Sequence, residues 1–253
     1  VDQSKYVKQF LLNNGLTFYM AGWELKLITN YLINEIFTQQ RYFRPGFEIG
    51  ATDVVVDIGA NMGMFALWAA PQAHHGRVIC VEPTTVFNYL DMNMALNNLT
   101  NVERLNAAIG EDNTELEFVY YPGQTALNHR VGLRPGIGDR LWTKLQQWIR
   151  GFTPHTLKAP CISLERLLDE RKVSRVSYLK IDCEGGEYEI LRTLPSKCFQ
   201  QIDRLALEFH QMSRDQDYRE LVSILKREGY QVEIKTNLRD YYLAGTGEIW
   251  AKR

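Results

Sequence analysis

Acidic, glycine and histidine residues gather in this sequence where apolar runs turn into helical ones. The first cluster lies in V-V-V-D-I-G-A-N-M-G, residues 54–63, with Asp57 just ahead of Gly59, Asn61 and Gly63. A buried strand that enters a glycine turn and then a helix lets the backbone pass close beneath a nucleotide-like ligand, because glycine has no side chain to block it. Such a turn can also be a plain connection, so Asp57 carries the discrimination. A dinucleotide site uses G-x-G-x-x-G and offers a helix N-terminus to a pyrophosphate, whereas the glycines here read G-x-x-x-G beside a carboxylate. Pyrophosphate would be repelled. S-adenosylmethionine has no phosphate and carries a sulfonium and an ammonium, so an acid at the turn favours it.

Further candidates follow at later strand ends. Glu82 closes R-V-I-C-V-E-P about 20 residues past the turn, the place where a carboxylate accepts both ribose hydroxyls, with Pro83 beside it in the expected cofactor site. Asn106 and Ala107 end the next run, where small residues leave room for an adenine edge and the amide can hydrogen-bond to it. The stretch L-K-I-D-C-E-G-G-E-Y-E-I-L puts Asp182 at a strand tip facing the reactive end of the cofactor, while Glu184 and Glu187 suit a helix N-terminus. In R-L-A-L-E-F-H, alternation sets Glu208 and His210 on one face. For an oxygen acceptor the methyl transfer from the sulfonium is in line, and a base is needed only for the hydroxyl proton. His210 takes the hydroxyl proton, and Glu208 or Asp182 orients its ring. A carboxylate acceptor would need no base, leaving His210 to position it. Another reading places a divalent cation on Asp182, Glu184, Glu208 and His210; acids at strand ends are common without ions, so no metal is assigned.

The elements that must hold these residues are short β-branched runs alternating with helical stretches, the pattern of βαβ units and a parallel sheet. Five runs, beginning at Val54, Arg77, Val102, Ser177 and Arg204, join two more around residues 230–234 and 249–250. They predict an α/β, doubly wound, mostly parallel seven-stranded sheet. The helix E-Y-E-I-L-R-T-L stops before Pro195, and Tyr218, Leu221, Val222 and Leu225 predict a helix over 218–227 closed by Gly229. Leu25, Ile28, Tyr31, Leu32 and Ile36 predict an amphipathic helix over about 24–38, so residues 1–50 are read as a helical cap and 51–253 as the main domain. Between Pro122 and Lys158, six basic residues face one acid among several glycines. This reads as an insertion over 122–158, with Leu141, Leu145, Trp148 and Phe152 on a short helix serving as a lid or docking segment.

Together these motifs, running from about Asp53 to Phe209, resemble the FkbM family of S-adenosylmethionine-dependent methyltransferases. The resemblance implies the Rossmann-like class I fold and O-methylation of the kind that tailors natural products and sugars. The chain has 253 residues, 45% of them apolar, and a formal charge of −1, which gives no pull toward nucleic acid or anionic membrane. No apolar run reaches the roughly 18 residues of a membrane span, and four scattered cysteines suit a reducing, cytoplasmic setting. The expected partner is a small-molecule or carrier-bound substrate, and the start at Val1 is compatible with a domain cut from a larger enzyme and equally with removal of a tag. Two other classes stay open: a nicotinamide-dependent oxidoreductase, opposed by Asp57, and a noncatalytic docking module, opposed by the intact acidic turn.

Overall fold

The computed structural model describes residues 7–21, 33–39, 41–121, 128–133, 153–236 and 245–253, with Asn30, Thr125 and Lys144. The first element is an antiparallel hairpin of β1 (Val7–Leu11) and β2 (Thr17–Ala21), whose turn passes through Gly15 at φ +82°. Phe18 and Met20 are both buried, the spacing of two that a strand gives and a helix does not. The helical cap expected over residues 1–50 is therefore corrected. Its described part is this hairpin and a π-helical turn, Asn34–Thr38. Of the helix expected over 24–38, the described residues hold that turn with the helical Asn30 and Ile33.

Next, β3 (Val54–Ile58) leads to α1 (Met64–Ala69), β4 (Arg77–Val81) to α2 (Phe87–Leu96), and β5 (Val102–Leu105) ends the first half of the main sheet. The run V-E-R-L-N-A-A-I, expected as one strand, breaks at Asn106, whose side-chain amide donates to the carbonyls of Glu82 and Thr84 at 2.8 and 3.3 Å. Its second part, β6 (Ala108–Ile109), joins a separate sheet with β7 (Thr114–Tyr120), β8 (His129–Arg130) and β9 (His155–Ile162), in the order β6-β9-β7-β8. Two described parts of the 122–158 insertion, β8 and the start of β9, are thus strands paired to β7. The helix expected through Leu141, Leu145, Trp148 and Phe152 lies outside the described residues.

The second half follows in order as α3 (Leu164–Glu170), β10 (Tyr178–Ile181), α4 (Glu187–Thr193), α5 (Ser196–Gln200), β11 (Arg204–His210), α6 (Tyr218–Arg227), β12 (Gln231–Lys235) and β13 (Thr246–Lys252). Ser163 and Asp217 cap α3 and α6 by accepting from the amides of Arg166 and Arg219. The seven main strands stand in the order β12-β13-β11-β10-β3-β4-β5, with β13 antiparallel to its neighbours. β3 and β10 lie side by side while the chain winds away from them in opposite directions. Their C-terminal ends frame the crevice where doubly wound sheets take ligands.

Alternation splits the sheet into two buried faces. Val56, Ile58, Leu179, Ile181, Leu205 and Leu207 pack with α3, α4, α5 and α6, while Val55, Val78, Cys80, Tyr178 and Trp250 pack with α1, α2 and the hairpin. The hairpin is held by two asparagines four residues apart, Asn93 on α2 and Asn97 at its C-terminal cap. Asn93 accepts from the Tyr19 amide at 2.6 Å and donates to its carbonyl at 3.0 Å; Asn97 does the same for Thr17, at 2.7 Å each. Asn93 also donates to the Met62 carbonyl at 2.9 Å and is fully buried. Replacing Asn93 by Ala strands buried backbone groups, each lost partner costing about 1–3 kcal/mol. We expect urea denaturation to report a loss in that range or above, with faster hydrogen exchange at the Tyr19 amide. An unchanged midpoint would remove the asparagine from this role.

Candidate active site

The site begins with a buried ion pair. Asp57 on β3 and Lys180 on β10 are register partners, and Lys180 Nζ lies 3.0 Å from Asp57 Oδ1, with side-chain exposures of 4% and 0%. Burial opposes the charge on Lys180, but Asp57 and Asp182 outweigh it and hold the amine above its ordinary range. Burial raises the Asp57 carboxyl in turn, against the pull of Lys180. The same amine donates to the Gly59 carbonyl at 3.0 Å and stands 3.6 Å from Asp182 Oδ2. One cation therefore gathers the ends of both strands. Gly59, at φ +78°, passes so close to the next loop that a Cβ would sit 1.8 Å from the Asp182 carbonyl oxygen. This glycine serves a backbone contact between loops. Asp57, expected at the ligand, lies beneath the turn and does not line the cavity.

Glu82 shapes one end of the cavity. Its Oε1 accepts from the Thr84 amide and hydroxyl at 2.9 and 2.6 Å, and Oε2 accepts from the Asn61 amide at 3.0 Å. Burial pushes its carboxyl up, and those hydrogen bonds pull it down. Gly59, Asn61, Glu82 and Pro83 all line a cavity of about 410 Å³. A smaller, largely apolar recess of about 40 Å³ adjoins it and is lined by Pro83, Ala107 and Cys183. Gly63 and Asn106 are elsewhere. A Cβ on Gly63 would meet Leu90 and Met94, so it seats α1 against α2, and the Asn106 amide holds the backbone of residues 82 and 84.

At the other end Asp182, Glu184, Glu208 and His210 line the same cavity. The group that orients the imidazole is Glu187, at the start of α4, whose Oε1 lies 3.1 Å from His210 Nδ1. That carboxylate is itself fixed by the amides of Cys183 and Gly185, each at 3.0 Å. This corrects the expected orienters: Glu208 is 3.9 Å from Nε2, and Asp182 instead accepts from the Tyr42 hydroxyl at 3.2 Å. Burial opposes a charge on His210, yet Glu184 and Glu187 outweigh it and raise the imidazole well above its ordinary range. Burial pushes Glu184 up to about 8 and Glu208 to about 7, the latter with Asp182 adding to it. Burial likewise works against Asp182, but Lys180, His210 and Arg41 hold it below its ordinary range.

Arg41 and Tyr42, with Lys180, Thr84 and Glu187, are site residues that the sequence motifs do not assign to the site. Lys180 had a signal, since a lone lysine inside an apolar strand requires a buried acid. Arg41 pairs with Glu35, with Glu208 at 2.8 Å and with Glu248 at 3.1 Å, and nothing in its local sequence announces that.

The donor set suits S-adenosylmethionine. The cavity walls carry Glu35, Glu82, Asp182, Glu184 and Glu208 against Arg41, Lys180 and His210, an excess of acid that favours a cationic ligand over a pyrophosphate. Asp182, Glu208 and His210 also offer three ligand atoms within 4.8 Å of one another, a set that could hold a divalent cation. Two of the three already have cationic partners, Glu208 in Arg41 and Asp182 in Lys180.

The sequence profile of the Methyltransferase FkbM domain matches residues 57–232. The chain is 26% identical to the AMB antimetabolite synthetase AmbE of Pseudomonas aeruginosa over 86% of its own length, but spans 11% of that synthetase. It is also 26% identical to the 31-O-demethyl-FK506 methyltransferase FkbM of Streptomyces tacrolimicus, over 85% of this chain and 86% of that one. Among solved structures, the methyltransferase FkbM of Methylobacillus flagellatus shares the fold, with a TM-score of 0.51 and 16% identity over 87% of this chain and 52% of the other.

Lys180→Met would leave the Asp57 charge buried without its partner. Breaking such a pair costs about 3–5 kcal/mol, so we expect a large fall in the urea midpoint that Asp57→Leu with Lys180→Met largely restores. A single variant as stable as the parent would show that the pair is not what holds the two strand ends.

Proposed function

The chain belongs to the FkbM methyltransferase family, and we propose that it methylates oxygen, on a hydroxyl of a small-molecule, sugar or carrier-bound natural-product intermediate. S-adenosylmethionine, when bound, supplies an electrophilic methyl group on a sulfonium. The observation that carries the oxygen reading is the pair of Glu187 and His210, with Nδ1 fixed at 3.1 Å and Nε2 turned toward the other acids of the cavity. A hydroxyl must lose a proton as it gains a methyl group, and Nε2 takes it. Holding donor and acceptor in line supplies much of the remaining acceleration. Glu82 serves the ribose hydroxyls, Gly59, Asn61 and Pro83 shape the bed of the cofactor, and Ala107 leaves space for the adenine edge. Asp57 acts through Lys180, below the ligand. A carboxylate acceptor would have to enter among Asp182, Glu184 and Glu208, which favours the hydroxyl.

The relatives support a natural-product acceptor. One is named for 31-O-demethyl-FK506 and another is an antimetabolite synthetase, which fits a domain working on a carrier-bound intermediate of a larger enzyme. The four cysteines are free thiols, which suits the cytoplasm. Among the described residues no helix is long and apolar enough to cross a membrane.

Calorimetric titration with S-adenosylhomocysteine tests the cofactor site. We expect binding that Glu82→Ala weakens by about tenfold or more, as the loss of charge-assisted hydrogen bonds to the ribose would give. A folded parent chain that does not bind would sink the donor assignment. For the base, His210→Ala should lower turnover by about 10²–10⁴-fold while leaving that affinity nearly intact; equal loss of both refutes it. Because the base must be unprotonated and His210 holds its proton above the ordinary 6.5, kcat/KM should rise with pH through a midpoint above that value. A midpoint at or below it would contradict His210 as the base, and loss of activity with a chelator would move the role to a cation.

A further inference from the structure

Residues 41 and 42 precede the family-matched segment 57–232, yet they grip the tips of three strands around the cavity. Glu208 on β11 and Glu248 on β13 are register partners, so two like charges face each other across neighbouring strands, an arrangement that destabilises a sheet. Arg41 resolves it by pairing with both, at 2.8 and 3.1 Å, and with Glu35. Tyr42 is pinned to β10 at both ends. Its carbonyl accepts from the Tyr178 hydroxyl at 2.8 Å, and its own hydroxyl donates to Asp182 at 3.2 Å. Its ring stands edge-on to Phe65 and 5.7 Å from Lys180 Nζ. Arg41, Tyr42, Asp182 and Glu208 all face the 410 Å³ cavity.

We propose that Arg41 and Tyr42 are positioning residues for the transfer step: they set where the Glu208 and Asp182 carboxylates stand and how much negative charge the reactive end presents. The inference rests on the methyltransferase reading above. Packing alone would ask for apolar groups at these positions, whereas here a guanidinium and a phenol engage the two carboxylates that the reacting groups must meet. Burial and the neighbouring Asp182 raise the Tyr42 phenol above its ordinary range, so it keeps the proton it donates.

The test compares affinities for S-adenosylmethionine and S-adenosylhomocysteine, measured by calorimetry on the full chain. These ligands differ only in the methyl group and its charge at sulfur, so their ratio reads the reactive end and cancels the rest of the site. Arg41→Gln removes a positive charge there, and Tyr42→Phe frees Asp182 from its donor. Each should shift the ratio toward the sulfonium by roughly threefold or more, and Arg41→Lys should keep it near that of the parent. Tyr42→Phe is nearly isosteric and preserves the test if Arg41→Gln fails to fold. A ratio unchanged in the variants, with both affinities moving together or not at all, makes the segment mere packing and overturns the proposal. Failure of both ligands to bind the parent is a different result, which removes the methyltransferase reading and the proposal with it.

Discussion

Asp57 and Lys180 form an ion pair in the middle of the sheet with almost no access to water, and the site is arranged around that fact. Either group alone would be a buried charge, so the two strands that carry them hold one register. Lys180 spends its remaining reach on the Gly59 carbonyl and on Asp182, which draws together the loops leaving β3 and β10. That approach is why residue 59 has no side chain. Asn61 then turns its amide to Glu82, and the loop, the acid of the next strand and the floor of the cavity form one hydrogen-bonded unit.

Above this floor the charges do not balance. Arg41, Lys180 and His210 meet a larger set of carboxylates, and the surplus is visible in Glu184 and Glu208, which hold protons close to neutral pH. Such a site suits a ligand that brings positive charge. His210, the base proposed above, stands among these acids. One of its nitrogens is fixed by Glu187 and the other faces Glu184 and Glu208.

The main sheet is legible because its central strands are buried on both faces and read as apolar runs, so the residues at their tips can be picked out by position. Legibility failed where structure comes from distant contacts. Residues 17–21 alternate over too short a span to compete with the helical spacing that follows them, so sequence alone predicts a helical cap where the hairpin stands. Strands β8 and β9 lie in a glycine-rich, basic stretch and exist because β7 pairs with both of them. Glu187 read as a helix N-terminal acid, and it is one; only the fold shows that its carboxylate also reaches across to His210. Arg41 gains its role from three acids, two of them more than 160 residues away in sequence.

Asn93 on α2 and Asn97 at its C-terminal cap also shield an edge of the hairpin. Tyr19 and Thr17 point backbone groups away from β1, and an outer strand with such groups free is a template on which another chain can add a strand. Asn93 and Asn97 occupy those groups with side-chain amides, each reproducing the donor and acceptor of a missing neighbour. The helix thus imitates a strand edge. That side of the hairpin is closed to strand addition and to the self-association that grows from it.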